Sequence, residues 1–352
     1  MRPLLASVLF LFASALGLAA AIPTRGPLVV TANTILDDLV RQVGGDQVRT
    51  HCLVQPGADP HAFEPRPSDV KQLVSADVLV VNGLGLEPAI LKLAQNCGFR
   101  GEILVAATGL TPRVGSGHHH HGKDAEDEDH EHSEIPSSSS ASSLSIPSPS
   151  STPSTASGSS TPTPPSAASE NRKSETENSA DPHAWQNPLL VATYVANIRD
   201  ALARAYPAAA NRYAERTAAY VEQLTALDRW AREQIATIPP ARRKLVTSHD
   251  SLGYFADAYG FETVPVAGIS SSAEPEARAV AAIVDLIRRE QVPAVFFELT
   301  TNPKLLRQIG ADAGVRLAEP LFTDSLGTPD SGADTYLGLI RANVTRIVAA
   351  LR

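Results

Sequence analysis

A chain of 352 residues, 43% of them apolar, is long enough for two compact domains and has the residues to fill their cores. Its formal net charge of −8 excludes the basic surface that nucleic acid or an anionic membrane requires. Past the N-terminal segment no apolar run is long enough to cross a bilayer.

The chain opens as a secretory leader. Arg2 supplies a positive start, residues 4–18 form an uncharged apolar run, and Ala19, Ala20 and Ala21 give the small-residue pattern at which signal peptidase cuts. Residues 1–21 are therefore expected to be a signal peptide, cleaved after Ala21. Export places Cys52 and Cys97 in an oxidising compartment, where they form either one bridge or two unpaired buried thiols. Neither their number nor their spacing makes a cysteine metal site, which leaves histidine and carboxylate as candidate ligands.

Strands and helices then alternate. Residues 28–31 read as a strand, followed by a helix through Ile35, Leu39 and Val43 that ends at Gly44-Gly45. Further strands are expected at 48–54, 78–81 and 103–105, with a helix over 88–94 between the last two. Continuous apolar strands alternating with helices predict a parallel sheet covered on both faces.

Between about residues 115 and 180 the composition changes. His118, His119, His120 and His121 open this stretch, the acidic run 124–134 carries His130 and His132, and a Ser/Pro/Thr tract follows. Too few apolar residues are present to offset the entropy of ordering, so a disordered insertion within a domain is expected. Its clustered imidazoles and carboxylates can bind zinc weakly and concentrate it near a tighter site; the alternative is a solvated acidic spacer without a metal role.

A long helical pattern covers 207–238, with Pro207 at its start, Pro239-Pro240 as its stop, and Tyr213, Ala214, Ala218, Val221, Leu224 and Leu227 at helical spacing. Such a helix spans more than about 40 Å, the scale of two domains side by side. After it, strands are expected at 244–247, 263–266, 294–297 and 316–318, and helices at 252–259, 275–290, 303–313 and 333–351. The predicted fold is α/β, with two lobes, each a mainly parallel sheet flanked by helices, joined by one long rigid helix. Residues 22–206 form the N-terminal lobe, 207–238 the connecting helix and 239–352 the C-terminal lobe.

One local pattern occurs twice: Ala58-Asp59-Pro60-His61-Ala62-Phe63 and Ala180-Asp181-Pro182-His183-Ala184-Trp185. Proline fixes the backbone beside each histidine, and the aromatic can pack beneath the loop, which places an imidazole before a metal arrives. Each histidine also precedes a plausible helix start, Pro67-Ser68-Asp69 or Asn187-Pro188, so a capping role is the competing reading. The repetition favours ligation. His249 follows a buried-looking strand, where open α/β sheets bind ligands, and is equally readable as ligand or cap. Asp324 follows another strand and is equally readable as a turn residue.

The order of DPHAF, DPHAWQNP after a His-rich loop, SHDSLGYFADAYG and LFTDSLG resembles the zinc- and manganese-binding proteins of ABC importers, the periplasmic metal-binding lipoprotein and adhesin-like family. The likeness runs from Val29 to Ala350. It implies metal at the lobe interface, with His61 and His183 from the N-terminal lobe and His249 and Asp324 from the C-terminal lobe. It also implies supporting roles for Glu298, Asp59 and Asp181. Unlike its lipoprotein relatives, the chain has no cysteine for lipid attachment near the expected cut, so a monomer free in the periplasm is expected, with an ABC permease as partner.

Three imidazoles and one carboxylate suit tetrahedral Zn2+; Mn2+, the alternative, prefers more oxygen ligands. Family members with glutamate at the position of His249 are the manganese type. A zinc hydrolase would need an open coordination position and a general base, so no enzyme is expected. The long helix is expected to limit lobe closure and to leave release to loops around His183 and the insertion.

Overall fold

The computed structural model describes residues 26–115, 180–269 and 276–352. The expected signal peptide and the histidines at 118–121, 130 and 132 lie outside the described residues. The N-terminal sheet is fully parallel and runs β2–β1–β3–β4, with β1 at Leu28–Thr31, β2 at Arg49–Cys52, β3 at Val78–Val81 and β4 at Glu102–Val105. The apolar runs Leu-Val-Val-Thr and Val-Leu-Val-Val occupy the centre, where neighbours cover both edges and both faces. Arg-Thr-His-Cys and Glu-Ile-Leu-Val, each with a charged first residue, take the edges. Among the described residues before the insertion, three helices pack here: α1 (Thr34–Gly44), α2 (Pro67–Ser75) and α3 (Pro88–Asn96). Asn33 caps α1 by accepting from Leu36 N at 3.0 Å, and Ile35, Leu36, Leu39, Val40 and Val43 bury one stripe of it.

The expected 48–54 strand is shorter at both ends, because Leu53 and Val54 already turn toward the site while keeping backbone bonds to Thr31 and Ala32. The possible Cys52–Cys97 bridge does not form: both cysteines are free. Cys52 ends edge strand β2, whereas Cys97 caps α3 and so precedes the opposite edge strand, β4. Three strand spacings, about 14 Å, separate those edges, far beyond the reach of a disulfide. Burial pushes the Cys52 thiol up to about 12, so it stays protonated and inert.

After the insertion come α4 (Pro188–Ala205) and α5 (Ala210–Ile235). The Asn187-Pro188 start of α4 is legible in the sequence, whereas its length is not. The long helix is α5; it begins three residues later than expected because Pro207–Ala209 forms a 3-10 turn. At 1.5 Å per residue it is about 39 Å long. It is no bare strut: Tyr213, Tyr220, Leu224, Leu227, Ala231 and Ile235 form one buried stripe, and the helix packs on α1, on α4 and on the final helix, α9 (Tyr336–Leu351).

The C-terminal lobe contains β5 (Lys244–Thr247), α6 (Gly253–Tyr259), β6 (Glu262–Pro265), α7 (Ala277–Arg289), β7 (Ala294–Val295), α8 (Lys304–Ala313) and β8 (Arg316–Leu317). β5 pairs with β6 and β7 with β8, both parallel, and Phe296 N donates to Val246 O at 2.8 Å, which sets β7 beside β5. Strand alternation separates two cores here. Leu245 and Ala294 face the large core shared with α5 and the N-terminal lobe, while Val246 and Val295 face a smaller one under α7 and α8.

Candidate metal centre

Four loops meet between the two sheets. His61 follows β2, His183 precedes α4, His249 follows β5, and Asp324 follows β8. The repeated hexapeptide folds the same way twice at its start: Asp59 Oδ1 accepts from His61 N at 2.8 Å, and Asp181 Oδ1 accepts from His183 N at 2.9 Å. In the second copy the same Asp181 oxygen also takes His183 Nδ1 at 2.8 Å, so that ring nitrogen carries a proton and Nε2 faces the centre. Trp185 is fully buried with its ring edge-on to His183, at 5.3 Å between centroids, and its Nε1 donates to Thr323 O at 2.7 Å. The tryptophan thus fixes the His183 loop and the backbone next to Asp324 together.

One ligand atom from each of His61, His183, His249 and Asp324 lies within 4.8 Å of all the others. His61 Nε2 is 3.2 Å from His183 Nε2, His183 Nε2 is 3.2 Å from Asp324 Oδ1, and His249 Nε2 is 3.2 Å from Asp324 Oδ2. A tetrahedron of ligands about 2.0–2.1 Å from zinc has edges near 3.3 Å, so these separations suit a shared ion. His249 Nε2 and Asp324 Oδ1 are buried without a hydrogen bond, as expected of donor atoms aimed at a common point. His183, His249 and Asp324 are fully buried; His61 alone is partly exposed.

Glu298, fully buried, supports His249 from behind. Its Oε1 lies 3.3 Å from His249 Nδ1 and accepts from His249 N at 3.3 Å, while Oε2 accepts from Ser248 N at 3.1 Å. Without metal the cluster holds its charge as ion pairs. Burial works against protonation of His183, but the Asp181 hydrogen bond and the neighbouring Asp324 carboxylate outweigh it and lift the imidazole to about 9. His249 is likewise raised, against burial, by the charges of Asp324 and Glu298. Burial opposes ionisation of Asp324, yet His249 and His183 hold it well below the usual carboxylate range. His61 goes the other way, to about 4, because burial dominates and the two neighbouring imidazoles add to it.

Several supports were not legible beforehand. Asn82 donates to Pro182 O at 2.9 Å and accepts from Tyr194 Oη at 2.6 Å, and buried Glu87 accepts from Asn82 N and Gly83 N. Ser325 Oγ accepts from Gly57 N at 2.8 Å, joining the Asp324 loop to the His61 loop. Asn82 could have been suspected from its place just past β3; the acceptor role of Thr323 O has no sequence signal, since any residue supplies a carbonyl.

The fold has counterparts in known proteins. Residues 29–350 match the family described as zinc-uptake complex component A periplasmic, and the chain belongs to that family. It is 29% identical over 327 residues to the manganese-binding lipoprotein MntA of Halalkalibacterium halodurans, covering 93% of this chain and 89% of that protein. It is also 29% identical over 345 residues to the zinc-binding protein TroA of Treponema pallidum, covering 97% and 94%. The solved structure of the periplasmic zinc-binding protein TroA superposes with a TM-score of 0.71 at 25% identity, covering 93% of this chain and 99% of that one.

Proposed function

We propose that the protein is a periplasmic solute-binding protein that captures Zn2+ with His61, His183, His249 and Asp324 and delivers it to the permease of an ABC importer. The observation that carries this is the buried convergence of those four side chains, with His249 Nε2 and Asp324 Oδ1 left without hydrogen bonds. Three imidazole nitrogens favour zinc over manganese on ligand softness. Manganese is the second reading, and one feature supports it: both Asp324 oxygens face imidazoles across the centre, offering a fifth donor atom. The ion is cargo, and four protein donors leave no position for an activated water.

His61 is the ligand placed to admit and release the ion, since it alone is partly exposed, on a loop whose residues 55–59 are largely exposed. His183 is pinned by Asp181, Trp185 and the Asn82–Pro182 bond, so movement of its loop is the less economical route. The histidines at 118–121, 130 and 132 would supply weak capture ahead of this site. Calorimetric titration with zinc, in competition with manganese, tests both parts. A tight zinc step that manganese does not displace is expected, and deletion of residues 117–134 should remove only weaker binding. Tighter manganese than zinc binding would reverse the assignment of the metal.

A further inference from the structure

Arg113 is the third residue before the undescribed 116–179 segment, and its contacts reach both lobes. Its Nε donates to Asp257 Oδ2 at 3.0 Å and its backbone N donates to Tyr254 Oη at 2.8 Å, both on α6. Its Nη1 lies 3.4 Å from Asp181 Oδ2, and its carbonyl accepts from Asp181 N at 2.8 Å. Val114 and Ala180 then bridge antiparallel, so both ends of the segment leave the fold side by side.

The Asp181 carboxylate is therefore divided. Oδ1 takes the backbone N–H and Nδ1 of His183, and Oδ2 faces Arg113. Gly253 makes room for the pair: a Cβ there would stand 2.3 Å from Arg113 Nη1 and 2.8 Å from Asp181 Oδ2. Tyr254 Oη also donates to Asp181 O at 3.3 Å. A carboxylate with one oxygen on a ligand histidine needs its other oxygen fixed if the imidazole is to hold one direction.

We propose that Arg113 is a positioning residue for metal capture, gripping the far oxygen of Asp181 and so aiming His183, with the grip anchored to the C-terminal lobe through Asp257 and Tyr254. This rests on the metal reading of the site. It makes the direction of His183 depend on the seating of α6, so a partner that moves α6 loosens the ion without touching a ligand.

The test is zinc affinity, by chelator competition, and the visible spectrum of the cobalt-loaded protein, on the full chain. Arg113→Met is expected to raise Kd by about 10- to 100-fold, as loss of an outer-shell partner does, and to shift the cobalt bands. Arg113→Lys, which keeps the charge but not the planar fork, should recover part of the loss. In an Asp181→Asn background Arg113→Met should add nothing, because both changes break one chain of contacts. Gly253→Ala, which crowds the same pair, provides a second route to the same loss should Arg113→Met not fold. An arginine that only braces the fold would lower the melting temperature of the metal-free protein yet leave Kd within about twofold and the cobalt spectrum unchanged, with effects additive to Asp181→Asn. That result overturns the proposal. Absence of zinc binding by the unaltered protein would instead defeat the metal reading itself.

Discussion

Two imidazoles and one carboxylate at the centre hold opposite charges while no ion is bound, and this sets how the site responds to pH. His183 rises from an ordinary value near 6.5 to about 9 in the fold, and His249 rises too. The contribution of His183 to the stability of the metal-free protein is fully present below about pH 6.5 and is lost as pH climbs through about 9, and His249 acts in the same direction. Glu87, pushed to about 7 by burial, adds to that decline between about pH 4.5 and 7. His61, held down at about 4, subtracts stability only on the acid side, as pH falls below about 6.5. A metal-free sample should therefore melt progressively lower from about pH 6.5 to 9, while zinc affinity climbs over the same range because fewer protons must leave. Near pH 7, about two protons should be released per zinc bound, measurable by calorimetry in buffers of different ionisation enthalpy. Zinc uptake without proton release would show that the histidines enter neutral.

Among the elements, the loops differ in how firmly they are held. The His183 and Asp324 loops are tied together through Thr323 O and sit under α4, whereas the His61 loop is bonded across to Ser325 through Gly57 and is otherwise largely exposed. Hydrogen exchange should show residues 55–62 as the stretch most protected by zinc, with α4 and α5 changing little. Uniform slowing across α4 would point to a larger opening. The same elements show what sequence could reveal. β1 and β3 were legible because their apolar runs can only be central strands, and α5 because Pro239-Pro240 ends it. The four residues of the candidate site are readable from the repeated hexapeptide and the order of the motifs. The supports distant in sequence are not: Arg113, Asn82 and Ser325 act through partners 68, 100 and 268 positions away, and no local pattern encodes such pairing. α4 carries a readable stripe of Val191, Tyr194, Val195, Ile198 and Leu202.

On the scale of the whole molecule, the lobes are joined by more than a connecting helix. One large core passes from the N-terminal sheet through α4 and α5 into α6 and α9, and Tyr336 N at the start of α9 donates to Asp38 Oδ2 in α1 at 2.8 Å. Burying the faces of both lobes against the same helix couples their folding, so thermal unfolding should proceed in one cooperative transition instead of two. Leu227→Ala, in the middle of that shared core, should lower stability by about 2–5 kcal/mol and shift the single transition as a whole. Two resolved transitions in calorimetry would mean that the lobes fold independently. Shared packing of this kind is expected to leave little freedom for lobe closure, in keeping with the proposed exchange of metal through the His61 loop.

X-ray absorption at the zinc edge of the loaded protein measures the coordination sphere itself. The account predicts nitrogen and oxygen donors only, at about 2.0–2.2 Å, with the multiple-scattering pattern of three imidazoles, falling to two in His249→Ala. A sphere dominated by water and carboxylate, or one unchanged by that substitution, would contradict it.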